Sequence, residues 1–240
     1  MDALSTLLAL PENEKKVKGI AHTPVEIQQQ PKTWRNTFHV LHGMHAELLQ
    51  FLTDSGIFHA ASREAPTVFL IGAGTSDYIG RALSRLLRQH WQCEVVAVPS
   101  TELLTNMQDF LLQKKHYVWI SFSRSGDSSE GVAVLEQALE QYPDRIRHLI
   151  VTCNEKGAMV QRFSGHPDVM HIILDHDVND RGLAMTSSFT NMVIAGQYLA
   201  YIQSPQQYAT TLDGLILMAE TLVPIAADTA YPAIFHAAST

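Results

Sequence analysis

The sequence predicts a three-layer α/β fold: a five-stranded parallel sheet between helices, with N-terminal helices before it and a helical C-terminal segment after it. Five short runs, at 67–71, 95–98, 117–122, 148–152 and 170–174, are continuously apolar rather than alternating. Strands buried on both faces read this way. Stretches of helical periodicity separate the runs. In one, Val132, Leu135, Leu139 and Tyr142 fall at steps of 3, 4 and 3, so they share a face. Strands alternating with amphipathic helices mean βαβ units, and right-handed crossovers place the strand ends on one edge.

Composition narrows the function classes. The chain has 240 residues, 46% hydrophobic and 17% charged, enough apolar material for a buried core. We divide it into an N-terminal helical segment (1–53), the α/β domain (54–203) and a helical segment (204–240). A net charge of -7 argues against nucleic acid or an anionic membrane as the main partner. No run approaches the length of a bilayer span, and the stretch Leu4 to Leu10 is too short for a signal sequence. Cys93 and Cys153 both lie in apolar runs, the pattern of a cytoplasmic protein with free thiols.

The N-terminal helices begin with little pattern, and Lys15, Lys16 and Lys18 mark them as solvated. Thr23-Pro24-Val25-Glu26 reads as a capping box, with Thr23 as the cap and Pro24 at the first helical position. Pro31 should interrupt that helix. Trp34, Phe38, Leu41, Leu48 and Leu52 then form a stripe that predicts packing on a neighbouring helix or on a second subunit. His39, His42 and His45 drift around the helix with no carboxylate or cysteine at metal spacing, so no metal is expected. Beyond the sheet, a helix is expected from Ser187 to Ile202, a break at Ser204-Pro205, and a helix from Gln206 to about Ala227. Met185 and Met192 read as core.

Candidate chemistry sits where strands end. The first run closes in Gly72-Ala73-Gly74-Thr75-Ser76, and the third in Ser121-Phe122-Ser123-Arg124-Ser125-Gly126-Asp127-Ser128-Ser129-Glu130. In open α/β sheets ligands bind outside the carboxyl ends of the strands. A hydroxyl-rich turn feeding a helix N-terminus offers O–H donors, free amides and the positive dipole end, which together hold an anion without lysine. One cap needs one hydroxyl, yet Ser123, Ser125, Ser128 and Ser129 crowd one turn. This reading requires Ser76 and the Ser123–Ser128 turn to face one hollow. A dinucleotide site is rejected, because Asp77 stands where G-x-G-x-x-G needs its third glycine, and no Walker lysine occurs. No organic cofactor is expected.

The same residues resemble the two sugar-phosphate signatures of the SIS (sugar isomerase) domain family. Val151-Thr152-Cys153-Asn154-Glu155, Asp180-Arg181-Gly182-Leu183-Ala184-Met185-Thr186-Ser187-Ser188 and the Glu26 to Trp34 stretch are similar to its AgaS branch. That branch comprises tagatose-6-phosphate ketose/aldose isomerases and galactosamine-6-phosphate deaminase/isomerases. The resemblance implies a sugar-phosphate ligand held by Ser123, Ser125 and Ser128 with the backbone around Arg124, by Thr75 and Ser76, and by Thr186 and Ser187 along the sugar. Arg124 stands where glucosamine-synthase relatives usually have Gln. It also implies a homodimer.

AgaS proteins carry two SIS domains in tandem, the second supplying acid/base residues. This chain ends about where that domain would begin, so the family's catalytic Glu, His and Lys have no counterpart. The expected function is therefore sugar-phosphate binding in an isomerase/deaminase framework, the alternative being a non-catalytic or regulatory sensing module. Isomerisation through an enediol needs a tuned base. Within the chain Glu102, His176, Asp180 and Arg181 are the candidates. Glu102 is the weak first choice, against a plain helix start capped by Ser100 or Thr101. Asp180 and Arg181 read better as an ion pair ordering the Gly182 turn.

Overall fold

The computed structural model describes residues 2–58 and 65–238. Five helices come first: α1 (Ala3–Leu8), α2 (Glu12–Val17), α3 (Thr23–Gln28), α4 (Gln30–Gly43) and α5 (His45–Asp54). The sheet follows as β1 (Thr67–Gly72), α6 (Thr75–Trp91), β2 (Val95–Pro99), α7 (Ser100–Phe110), β3 (Tyr117–Ser123), α8 (Ser129–Gln141), β4 (Ile146–Thr152), α9 (Ala158–Phe163) and β5 (Val169–Ile173). After a short 3-10 turn at His176–Val178 come α10 (Ser187–Ala200) and α11 (Pro205–Ala238). All strand pairs are parallel, in the order β2-β1-β3-β4-β5.

Side-chain alternation along β3 divides the core. Val118, Ile120 and Phe122 face a cluster built with α4, α5, α6, α10 and α11, while Tyr117 and Trp119 face α7 and α8. The expected strands, their order of appearance and the helices on both faces are all present. The central strands β1, β3 and β4 are buried almost throughout, as their continuous apolar runs imply. β2 is an edge strand and exposes Val96.

The stripe on α4 and α5 packs on neighbouring helices, the first of its two expected partners: Leu41, Leu48 and Leu52 join the core shared with α10 and α11. Other local expectations are corrected. His42 stacks on Phe38 and the His45 ring hydrogen-bonds Tyr198, within an aromatic cluster against α10. Lys15 is buried beside Glu12 rather than solvated. The segment Pro205–Ala226, 22 residues in which an 18-residue window reaches a mean hydropathy of 1.4, is long and apolar enough to cross a bilayer by length and composition. Its apolarity has a local use, since Tyr208, Leu212, Ile216 and Ala219 pack one face into the domain.

One core residue makes stability pH-dependent. His148 on β4 is fully buried, edge-on to Trp119, and among the described residues neither ring nitrogen has a partner. Burial pushes its pKa down to about 3 from an ordinary 6.5. Below pH 6.5 the unfolded chain takes up a proton that the folded chain refuses until about pH 3, so stability falls as pH drops through that window. Thermal melting should show about 2 kcal/mol lost between pH 7 and pH 5 from this residue. His148→Leu should flatten that slope; an unchanged slope would place the acid sensitivity elsewhere.

Candidate functional site

The strand register brings four loops to one edge. Gly72 pairs with Pro99, Ile71 with Ser121, and Ser123 with Thr152, so β1, β2, β3 and β4 end together. From β1 the chain winds outward to β2 on one side and to β3, β4 and β5 on the other. The β1/β3 boundary is therefore the topological switch point, where doubly wound sheets open a crevice. Both hydroxyl-rich turns leave the sheet there.

In the β3–α8 turn, Ser123 Oγ accepts from the Gly126 amide at 3.1 Å and Ser125 Oγ accepts from the Asp127 amide at 3.2 Å. Gly126 takes φ +65°, the left-handed conformation that this tight turn needs. Ser128 occupies the N-cap position of α8, yet its side chain caps nothing. Among the described residues none of the three hydroxyls donates to a protein group, and the amides of Ser128, Ser129, Glu130 and Gly131 have no partner. Hydroxyl hydrogens and helix-start amides are thus left uncommitted on one turn.

The turn is anchored from behind. Asn154 Nδ2 donates to Ser125 O at 2.8 Å, the Ala158 amide donates to Asp127 Oδ1 at 2.8 Å, and the Met159 amide to Gly126 O at 2.9 Å. The Cys153 amide donates to Arg124 O. Cys153 itself is buried, and desolvation raises its thiol pKa. It is a packing residue.

The β1–α6 turn meets the serine turn differently from expectation. A hollow of about 10 Å³ at the switch point is lined by Gly72 and Ala73 from the first turn and by Ser121 and Ser128 from the second, with Ser100, Gly131 and Met159. The two turns border one hollow, but Ser76 does not face it, so the expected juxtaposition holds for the turns and fails for Ser76, which is withdrawn from the anion site. Ser76 is buried, with its hydroxyl 3.9 Å from Met185 Sδ. Thr75 is exposed at the first position of α6, whose side-chain cap is also missing. Asp77 lies buried in that first turn and accepts from Arg81 Nε at 2.6 Å.

A second loop, 180–186, closes over this edge and is tied down by residues whose roles differ from those expected. Glu26 is not a capping-box partner. The N-cap of α3 is His22, and Glu26 Oε1 accepts from the amides of Arg181 at 2.6 Å and Gly182 at 3.0 Å. A Cβ on Gly182 would lie 2.5 Å from Thr23 Oγ1 and 2.7 Å from Glu26 Oε2, so any other residue there would push these side chains aside. Arg124 reaches the same loop from the serine turn, its Nη1 donating to Gly182 O at 3.3 Å. Asp180 forms no ion pair with Arg181; its carboxylate accepts from the amides of Thr186, Ser187 and Ser188 and from the Ser188 hydroxyl, fixing the start of α10.

Ser187 must be withdrawn as a ligand contact. It is fully buried, donates to Glu26 O at 2.6 Å and accepts from Gln29 Nε2. Thr186 is half-buried beside Asp180. Glu102 is exposed in the first turn of α7, outside the hollow, and neither Ser100 nor Thr101 caps that helix, whose N-cap is Pro99. The residues missed by sequence reasoning are Glu26 as a loop clamp, Asn154 as an anchor and Ser100 in the hollow. For Glu26 no local signal could have served, since its partners lie 155 and 156 positions away.

These features define a class: a doubly wound parallel α/β protein with hydroxyl-rich turns at its switch point. The chain belongs to the SIS domain family, whose model matches residues 63–202. It is 36% identical over 171 residues to D-galactosamine-6-phosphate deaminase AgaS of Escherichia coli, a match covering 71% of this chain and 43% of that protein. A crystal structure of tagatose-6-phosphate ketose/aldose isomerase from Escherichia coli superposes with a TM-score of 0.73 at 31% identity, over 83% of this chain and 53% of that one. A Clostridium novyi NT structure shares the fold, with a TM-score of 0.83 at 24% identity over 92% and 55% of the two chains. The chain thus spans less than half the length of its curated AgaS relative and about half of each solved chain.

The Glu26 clamp has a measurable consequence. Glu26→Ala leaves two amides of the 181–182 turn without their acceptor and should cost about 1–3 kcal/mol in chemical denaturation. Glu26→Gln keeps a carbonyl acceptor and should cost distinctly less. Equal losses in both variants would show that charge, not the two amide bonds, is what the loop needs.

Proposed function

We propose that this chain binds a phosphorylated sugar of the galactosamine 6-phosphate or tagatose 6-phosphate class, with the phosphoryl group over the Ser123–Ser128 turn. One observation carries the reading: Ser123, Ser125 and Ser128 keep their hydroxyl hydrogens free beside four unpaired amides at the start of a 13-residue helix. Such donors suit a tetrahedral anion, and the helix dipole adds to them. The position at the switch point and the AgaS relative support the same ligand class. Thr75 and Arg124 complete the rim. Arg124 is long enough to leave Gly182 O for a phosphoryl oxygen, and such a charge-assisted contact is stronger than the neutral bond it replaces.

The sugar would then extend under the 180–186 loop. Moving a proton between C1 and C2 through an enediol, and releasing ammonia from an amino sugar by imine hydrolysis, both require a base within reach of those carbons. Two carboxylates beside the serine turn are engaged with backbone, while Glu130, among the described residues, accepts only from the neighbouring Ser129 hydroxyl. Asp127 holds the Ala158 amide, and Asp180 holds the start of α10. The chain is therefore read as the phosphate-binding half of an isomerase or deaminase, with turnover depending on groups outside it. A homodimer is part of this reading, supported by Leu217, Met218, Leu222 and Ile225 exposed on α11. A cytoplasmic setting fits the two free, buried cysteines.

The purified chain should be stabilised against heat by galactosamine 6-phosphate and by tagatose 6-phosphate, with no release of ammonia from the former. Ser125→Ala and Ser128→Ala should each weaken binding about tenfold, the value of one charge-assisted hydrogen bond. A folded chain that responds to neither compound would overturn the reading, and ammonia release by the chain alone would overturn its binding-only part.

A further inference from the structure

The hollow at the switch point is lined by a residue whose hydroxyl has no partner among the described residues. Ser100, the first residue of α7, is 2% exposed, and its Oγ is buried without a hydrogen-bond partner. Such a group destabilises a fold about as much as a broken hydrogen bond, and alanine would fill the position without that cost. The same hollow is bordered by the side of β3 that carries Ser121 and by Ser128, the N-cap residue whose hydroxyl caps nothing. Its volume, about 10 Å³, is far below a phosphoryl group and close to what one water requires. A buried water also needs two to four polar partners, and Ser100, Ser121 and Ser128 are the hydroxyl residues of the lining.

We propose that this hollow holds one buried water and that Ser100, acting through it, is a positioning residue for the serine turn. Ser100 donates its hydroxyl hydrogen to the water, and the water donates to the oxygens of Ser128 and Ser121. With its oxygen occupied as an acceptor, Ser128 keeps its own hydrogen for the α8 side of the turn. Its rotor is thereby set as a donor before any ligand arrives. The β2 end, through Ser100, thus presets a group on the β3 end. The positioning role rests on the phosphate reading above; the water does not.

Two experiments separate the parts. A crystal structure of the chain at high resolution should show a water within hydrogen-bond reach of Ser100 Oγ and Ser128 Oγ; a dry hollow overturns the proposal and leaves the serine-turn reading standing. Calorimetric titration with galactosamine 6-phosphate should find Ser100→Ala and Ser100→Cys both about five- to tenfold weaker than wild type. Cysteine keeps the shape but donates poorly, so a purely packing role would leave Ser100→Cys unaffected, and that result overturns the proposal. Ser100→Ala should add nothing in a Ser128→Ala background, whereas additive losses would show that Ser100 acts by another route. A wild-type chain that binds no sugar phosphate overturns the phosphate reading and the positioning role with it.

Discussion

Parallel pairing of β1 with β3 is the constraint from which the site follows. Because Ile71 stands opposite Ser121, the chain leaves both strands at the same height and must turn twice at the same place. Each turn enters a helix directly, so two sets of helix-start amides converge on the boundary where the winding direction reverses. No basic field is needed at such a place. That is consistent with a chain of net charge -7, whose strand-edge donors are hydroxyls and amides with the Arg124 guanidinium beside them.

The turns keep their shape through side chains that grip backbone. Asn154, Asp127 and Glu26 each bond to main-chain groups of another loop, and Arg124 bonds to the carbonyl of Gly182. These bonds add to those that the Ser123 and Ser125 oxygens accept within the turn, and they leave the serine hydroxyl hydrogens uncommitted among the described residues. The arrangement links the N-terminal helices to the site: α3, far from the sheet in sequence, decides where the 181–182 turn lies. The N-terminal segment and the α/β domain share one hydrophobic core as well, so their separation at residue 53 is a division of sequence rather than of packing.

The long C-terminal helix has a different character. One face is sealed into the domain by Tyr208, Leu212 and Ile216, while Leu217 and Met218 remain 66% and 59% exposed. An apolar face of this extent on a helix is energetically incomplete in water. The stretch matched here is 43% of the AgaS relative and about half of each solved neighbour.

The sheet was legible from the chain because burial on both faces leaves a local mark, a continuous apolar run, and each run lies within two residues of the observed strand. The serine turn was legible for a similar reason: its density of hydroxyls exceeds what one helix cap can use. Ser76, Ser187, Asp180 and Glu26 were misplaced because a side chain's partner is set by which loops meet in space. Glu26 with Thr23 satisfies the local pattern of a capping box, yet the amides that claim it lie far along the chain. Sequence alone determined the five strands, the helices between them and where polar residues accumulate, but not α1 and α2, which left no legible pattern. The tertiary structure decided which of those residues are consumed by the scaffold and which stay free. Hydrogen-bond saturation is a property of the packed chain, and spacing along the sequence does not encode it.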